Sequence, residues 1–433
     1  MKQGLAEYFA FAELGTNWRT EILAGCTTFL TMAYIVFVNP SILAQAGMPA
    51  AAVTAATCLA AGLASILMGA VARYPLAMAP GMGLNAYFTY AVVQGMGVSW
   101  QTALGAVFLS GAAFLLLTLT GLRRRLVEAV PPSLYAAVAV GIGLFIAFIG
   151  LKNAGIVVAH PATALALGDL RAPGPATALA GLLFTAILLV RRVPGAMLLG
   201  LVATALAAGW GGRTAPDASL TAIAATAGQL DIAGALRLGL LEIIFAFLFV
   251  DLFDNLGTLL AVSKRAGLQD SAGRIPRVDR ILFADSVATM GGALLGTSTV
   301  VSYIESAAGV AEGGRSGVTA IVTGLLFLGS FFVAPWLGAV PAYATAPALI
   351  LVGALMMTHA SEVEWSEYPA AIPAFLTLAA IPLTFSIATG LAFGLIAHTL
   401  LTVAAGRARE ISPFLYLLTV ILLARFFWVP AGA

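Results

Sequence analysis

Met78-Ala79-Pro80-Gly81-Met82-Gly83-Leu84-Asn85 opens one apolar stretch of this chain, and Gly296-Thr297-Ser298-Thr299-Val300-Val301-Ser302-Tyr303 opens another. Neither reads as a plain apolar helix. Pro and Gly disfavour helix in the first; β-branched residues with Ser and Thr disfavour it in the second. Non-helical backbone at membrane depth is tolerated only where protein or a cavity satisfies its N–H and C=O groups. Paired interruptions in two halves of a chain point to a transporter site between inverted repeats. The alternative for either alone is a kinked helix start near the membrane surface.

The pairing emerges when the rest of the chain is divided. A bilayer core about 30 Å thick needs about 20 apolar residues per helix. Apolar runs lie near 22–38, 52–71, 80–96, 101–120, 134–151, 175–190 and 195–210. Seven more lie near 239–261, 281–296, 297–311, 316–336, 343–357, 369–385 and 387–404. The interrupted segments are third and tenth, corresponding places in two sets of seven. The longest polar connections are Lys152–Gly174, Gly211–Arg237 and Ser263–Arg280. A further run, 413–428, contains Arg425.

Composition agrees. Hydrophobic residues make up 61% of the 433, and charged residues 9%. Mean hydropathy is +1.01. A soluble domain carries about 25% charged residues, so the bilayer is the solvent for this chain. A net charge of +2 with dispersed Lys and Arg argues against nucleic acid as a partner. Cys26 and Cys58 fall in apolar segments and read as small buried hydrophobes, not a disulfide. His160, His359 and His398 show no metal-ligand spacing, so neither metal nor cofactor is expected. Leu23-Ala24-Gly25-Cys26 mimics a lipoprotein cleavage box. Such a box needs an apolar run before the cysteine, and here Glu7, Glu13, Arg19 and Glu21 precede it. Residues 1–20 read as a short amphipathic lead-in, with no cleavable signal.

Lys and Arg set the orientation. With the N-terminus inside, the cytoplasmic side collects Lys2, Arg19, Arg73, Arg123, Arg124, Arg125, Arg191 and Arg192. It also collects Lys264, Arg265, Arg274, Arg277, Arg280, Arg315, Arg407 and Arg409. Only Lys152, Arg171, Arg213 and Arg237 fall outside. Arg407 and Arg409 place the end of the fourteenth span inside. Residues 413–428 then read as interfacial or re-entrant, and both termini as cytoplasmic. The chain is expected to be a multi-pass protein of the inner or plasma membrane.

Ionisable residues within spans are costly and usually functional. The eighth run holds Asp251, Asp254 and Asn255, with Thr258 one turn beyond Asp254. The spacing puts Asp251, Asp254 and Thr258 on one helix face. The ninth run holds Asp285, and the tenth holds Glu305 just after its extended stretch. Glu242 and Glu312 lie nearer span ends and read as solvated. A carboxylate accepts two parallel N–H bonds, the pair that a purine such as guanine offers from N1–H and its exocyclic amine. Free N–H groups at a broken helix start can meet a carbonyl oxygen. Low dielectric favours a carboxyl's neutral form, so one such group can couple substrate to H⁺. The structural alternative, hydrogen bonding to neighbouring helices only, weighs more for Asp251 and Asp285 than for Asp254 and Glu305.

Four long motifs in order carry a resemblance. They are Thr31-Met32-Ala33-Tyr34-Ile35-Val36-Phe37-Val38-Asn39-Pro40; Ala79-Pro80-Gly81-Met82-Gly83-Leu84-Asn85-Ala86-Tyr87-Phe88; Val250-Asp251-Leu252-Phe253-Asp254-Asn255-Leu256-Gly257-Thr258; and Ser302-Tyr303-Ile304-Glu305-Ser306-Ala307-Ala308-Gly309-Val310. Gly313-Gly314-Arg315-Ser316-Gly317 follows the last. From about Asn17 to Arg409 the chain resembles the nucleobase–cation symporters of the nucleobase–ascorbate/xanthine–uracil permease superfamily, and among them the AzgA-like purine permeases. The resemblance implies an all-α polytopic membrane protein of fourteen transmembrane segments in two inverted seven-segment repeats. Short antiparallel β-strands are then expected in segments 3 and 10. It implies a core subdomain (20–120 and 239–336), a gate subdomain (134–211 and 343–404) and a tail (405–433). It further implies an elevator mechanism and a homodimer. The family's binding carboxylate falls on Asp254 and its partner acid on Glu305. The positions whose backbone amides meet the base fall near Leu84 and Ile304. AzgA-like members share Asn85, Asp251 and Asp285, so Asn85 joins the substrate set. Glu305, Asp254, Asp251 and Asp285 then couple the proton or tune the site. Two departures from the uracil and xanthine branches stand out: Ser306 where they carry Asn, and Asp254 where they carry Glu. The shorter acid leaves room for a larger base and favours purines.

The expected function is therefore proton-coupled symport of purine nucleobases, guanine or hypoxanthine before adenine or xanthine. An anion transporter of the sulfate or bicarbonate type is the alternative within this architecture. Two acids at the site argue against it. A membrane-embedded enzyme needs a nucleophile–base pair or metal cluster within the spans, and none is visible. No ring of like residues suggests a channel filter.

Overall fold

The computed structural model describes residues 2–120, 131–209, 220–237, 241–270, 275–332 and 340–428. Arg123, Arg124, Arg125, Arg213 and Arg274 of the charge pattern lie outside the described residues, as do the side chains of Glu242 and Arg425. In chain order the first helices are α1 (Lys2–Tyr8), α2 (Phe11–Leu14), α3 (Trp18–Met32), α4 (Ile35–Leu43) and α5 (Ala50–Leu67). Then come strand β1 (Met78–Pro80), α6 (Met82–Ala86), α7 (Trp100–Leu119) and α8 (Pro132–Asn153). A hairpin, β2 (Val157–His160) and β3 (Ala164–Leu167), precedes α9 (Pro173–Val190), α10 (Ala196–Ala207) and α11 (Ile232–Ala235). The second half holds α12 (Leu241–Ala266), α13 (Val278–Leu295), β4 (Val300–Ser302), α14 (Ser306–Ala311) and α15 (Gly317–Ser330). It ends with α16 (Ala342–Met356), α17 (Tyr368–Thr384), α18 (Ile387–Ala404) and α19 (Pro413–Trp428).

Among the described residues, eight helical stretches are long and apolar enough to cross a membrane, and four shorter apolar helices accompany them. This is a multi-pass membrane protein. Three details differ from the sequence reading. The first apolar helix begins at Trp18, four residues early, because the Asn17 side chain caps it by accepting the Thr20 N–H at 3.0 Å. The connection after Lys152 carries the β2–β3 hairpin, which was not expected. Residues 413–428 are one helix that packs on α18 and buries Leu415, Leu418 and Leu422.

Helices α3, α5, α7, α12, α13, α14 and α15 pack chiefly on one another. So do α8, α9, α10, α16, α17 and α18. In the first group α5 and α15 meet backbone to backbone. A Cβ at Gly324 would strike the Gly62 carbonyl, so only glycine permits the approach. Glu21 anchors the same region. It is fully buried, and its carboxylate accepts from the amides of Arg315, Ser316 and Thr319 (2.9, 3.1 and 3.2 Å) and from the Thr319 hydroxyl (2.6 Å). An acid there satisfies the orphan donors at the start of α15.

At the centre, β1 and β4 pair antiparallel in the register Met78↔Ser302, Ala79↔Val301 and Pro80↔Val300. Two more bonds extend the ladder, Gly81 N–H to Thr299 O (2.9 Å) and Tyr303 N–H to Ala77 O (3.0 Å). A two-strand ribbon among helices leaves its outer edges unpaired. Side chains of neighbouring segments fill them. Met78 N–H donates to Ser65 Oγ (2.9 Å), which returns a bond to Met78 O (3.1 Å). Ala77 N–H donates to Ser306 Oγ (3.0 Å), Ser302 N–H to Asn255 Oδ1 (2.9 Å), and Thr289 Oγ1 to Val300 O (3.0 Å). Buried backbone groups must be satisfied, and these side chains hold the ribbon open at its two ends.

Candidate functional site

The ribbon ends at a cavity of about 90 Å³. A buried water needs at least about 10–15 Å³ of such space, so this is room for several waters or part of one small planar molecule. One wall comes from the strand-bearing group. Gly81, Met82 and Gly83 line it where β1 passes into α6; Asp254 and Thr258 line it from α12. Val301 to Glu305 line it along and after β4, and Tyr34 lines it at the break between α3 and α4. The opposite wall comes from α8, with Ile142 and Ile146, and from α16, with Val352, Met356 and the following His359.

Asp254 and Glu305 therefore meet at one cavity and lie within electrostatic reach of each other. The Tyr34 hydroxyl donates to Glu305 Oε1 at 2.6 Å, fixing one carboxyl oxygen from across the α3–α4 break. Tyr303 donates to Pro80 O at 2.6 Å and locks the aromatic ring over the strand crossing. Ile304 lines the cavity with its side chain 44% exposed. The first-turn amides of α6 have no partner within the helix, which leaves N–H groups beside Gly81–Gly83. Gly83 also sets the distance between the two walls, since a Cβ there would strike Ile142.

Four expected site residues stand behind the cavity wall. Leu84 is 1% exposed and its side chain packs in the core. Asn85 is fully buried. Its Nδ2 donates to Asn39 Oδ1 at 2.5 Å, and its Oδ1 accepts from the Ser298 hydroxyl. Asn39 in turn donates to Thr57 Oγ1 (2.8 Å) and Thr297 Oγ1 (2.9 Å). The amide ties segments 1, 2, 3 and the start of 10 together, so its side chain is occupied and not presented to the cavity. Asp251 does not line the cavity with Asp254. Its Oδ1 accepts from Asn255 Nδ2 at 2.7 Å and its Oδ2 from Thr289 Oγ1 at 3.5 Å. Asn255 then accepts from Ser302 N–H, so Asp251 orients the amide that holds β4. Asp285 is buried on α13, away from the lining residues. Asp251 and Thr258, seven residues apart, lie only about 20° from each other around α12 but about 10 Å apart along it, so Asp251 differs from the cavity-lining pair in depth and not in face.

Sequence reasoning missed Tyr34, His359 and Glu21. Tyr34 sat inside a quoted motif, but nothing in its residue type pointed to an acid far away in the chain. His359 lies just past the run 343–357.

Among the described residues, no cluster of His, Cys, Asp and Glu could hold a metal ion. Residues 19–393 match the model of the permease family Xan_ur_permease. The chain is 46% identical over 437 residues to the guanine/hypoxanthine permease PbuG of Bacillus subtilis, covering 98% of this chain and 99% of that one. It is 43% identical over 438 residues to the adenine permease AdeP of Escherichia coli, covering 99% and 97%. Among solved structures, the transmembrane domain of the cyanobacterial bicarbonate transporter BicA superposes with a TM-score of 0.61 at 15% identity, covering 87% of this chain and 97% of that one. That likeness is one of fold.

Proposed function

The chain belongs to the xanthine–uracil permease family, and from that premise we propose that it is a proton-coupled symporter of purine nucleobases, guanine or hypoxanthine first. It is a transporter and not an enzyme. The observation that carries the reading is the meeting of Asp254 and Glu305 at one cavity, between the strand ends and an apolar wall. Asp254 accepts the paired N1–H and amine N–H groups of guanine, or the single N1–H of hypoxanthine. Glu305, with one oxygen held by Tyr34, takes and releases the proton. Amides at the start of α6 and near Ile304 meet the carbonyl edge. Asp251 and Asp285 tune these groups from behind. Asn85 supports the wall through Asn39 and Ser298.

The helix groups support a core subdomain, carrying the ribbon, and a gate subdomain, carrying α8 and α16. In this reading fourteen segments form two inverted repeats, and the core moves against the gate as an elevator. The carrier is a homodimer in the inner or plasma membrane with both termini cytoplasmic. A cysteine at Lys2 should resist an impermeant thiol reagent in intact cells; labelling from outside contradicts that orientation. Relatives named for guanine/hypoxanthine and for adenine resemble the chain about equally, so the base is the open variable. Uptake of labelled hypoxanthine, guanine, adenine and xanthine into proteoliposomes, with and without an imposed pH gradient, tests the reading. Accumulation of at least one purine under an inward proton gradient is expected. Transport of none, or accumulation indifferent to the gradient, contradicts it.

A further inference from the structure

Among the described residues that line the cavity from the α8 and α16 side, four are apolar and one, His359, is polar. His359 sits on the 3-10 turn Met357–Glu362. Its Nδ1 lies 3.0 Å from Glu362 Oε1, an i,i+3 pair that such a turn eclipses. A carboxylate at that distance holds a proton on Nδ1 and leaves Nε2 as the ring's other hydrogen-bonding atom. The turn itself is fixed. Trp365 Nε1 donates to Ala360 O at 2.8 Å, and Val363 is buried against Ala136, Ala137 and Ala374. The imidazole is 26% exposed and lies within electrostatic reach of Asp254 across the cavity.

A purine held by its N1–H and exocyclic edge against Asp254 turns its five-membered ring away from that carboxyl. The wall it turns toward offers three aliphatic side chains, the weakly accepting thioether of Met356, and His359. We infer that His359 is a specificity-determining residue, the gate-side hydrogen-bond partner of the five-membered ring (N7 or N9) of the bound base, with Glu362 as the residue that positions it. The inference rests on the purine-transport reading. An apolar wall binds any flat base of the right size; an imidazole of fixed tautomer distinguishes a ring nitrogen from a ring C–H.

The test is equilibrium binding to purified protein of guanine and hypoxanthine, and of the 7-deaza and 9-deaza analogue of each. Wild type, His359→Leu, His359→Met and Glu362→Gln are compared. In the wild type one of the two deaza analogues should bind about tenfold more weakly than its parent, the size of one lost hydrogen bond. Both His359 variants should bind the parent about tenfold more weakly and no longer separate it from that analogue. Either variant suffices if the other does not fold. Glu362→Gln should give intermediate discrimination, which a merely structural role would not alter. A wild type that binds both analogues as well as the parent, or discrimination that persists without His359, overturns the inference and leaves the transport reading standing. A wild type that binds neither base overturns both.

Discussion

The two walls of the cavity are built by opposite means. On the strand side almost every polar group has a fixed partner: Tyr34 with Glu305, Tyr303 with Pro80, Asn255 with Ser302, and Asp251 with Asn255. On the α8–α16 side, Ile142, Ile146, Val352 and Met356 offer only non-directional contact. Hydrogen bonds fix position to a few tenths of an ångström, whereas apolar contact tolerates sliding. A base can be gripped by the first wall and carried past the second with His359 as that wall's one directional contact among the described residues. The comparison teaches where substitutions should matter: sharply on the strand wall, about tenfold at His359, and weakly at the four apolar positions.

The largest expected effect is on Glu305. Glu305→Gln keeps the shape and an oxygen for Tyr34 but cannot take a proton. Counterflow of base across proteoliposomes should persist, while net accumulation driven by a pH gradient should vanish. Accumulation equal to wild type would remove Glu305 from the coupling role and leave Asp254 as the proton site.

Next is the buried acid at the start of α15, in the helix group that carries the ribbon. Glu21→Ala strips the acceptor from three buried amides and a hydroxyl at the start of α15. A buried donor left unpaired in this way costs about 1–3 kcal/mol. The unfolding temperature in detergent should drop by several degrees, and by less in Glu21→Gln, which keeps one acceptor oxygen. A Glu21→Ala protein as stable as wild type contradicts this account of the α15 start.

A smaller effect is expected behind the wall. Asp251→Asn disturbs the amide that holds β4, and Asp285→Asn changes a buried group on α13. Both should slow uptake more than they weaken equilibrium binding of the base. Wild-type uptake rates in both variants mark these acids as spectators. The smallest effect belongs to the apolar wall. Ile146→Val removes one methylene, worth about 0.5–1.5 kcal/mol in a well-packed core and less at a cavity face. Uptake should change by less than about threefold; a larger loss shows that the wall is a fitted pocket and not a sliding surface.

How much of this was legible in the sequence depends on contrast. Asp254 and Glu305 stood out because acids are rare in apolar runs. The two interruptions could be read from Pro80-Gly81 on one side and Thr299-Val300-Val301 on the other, which refuse helix; that they pair as strands was implied by the family resemblance. The caps on the ribbon could not: Ser65, Ser306 and Thr289 are residue types that elsewhere bond to their own helix, as Ser286 does to Leu282 O. Asn85 joined the substrate set through the resemblance to AzgA-like permeases, yet Asn39 and Ser298 claim its side chain. Glu21 was lost among neighbouring charges before the first span. Asp251 shares a helix face with Asp254 and Thr258, but periodicity does not give depth along the helix, and Asn255 and Thr289 take its carboxylate below the cavity.

The measurement that bears most directly on the central claim is equilibrium binding of the transported purine to Asp254→Asn against wild type. The amide presents a donor where the base presents its own. One charge-assisted bond is lost and one donor is left buried, at about 1–3 kcal/mol for the unpaired group alone. Affinity should fall by roughly a hundredfold or more, with the protein otherwise folded. Binding of the purine to Asp254→Asn at wild-type affinity would contradict the account.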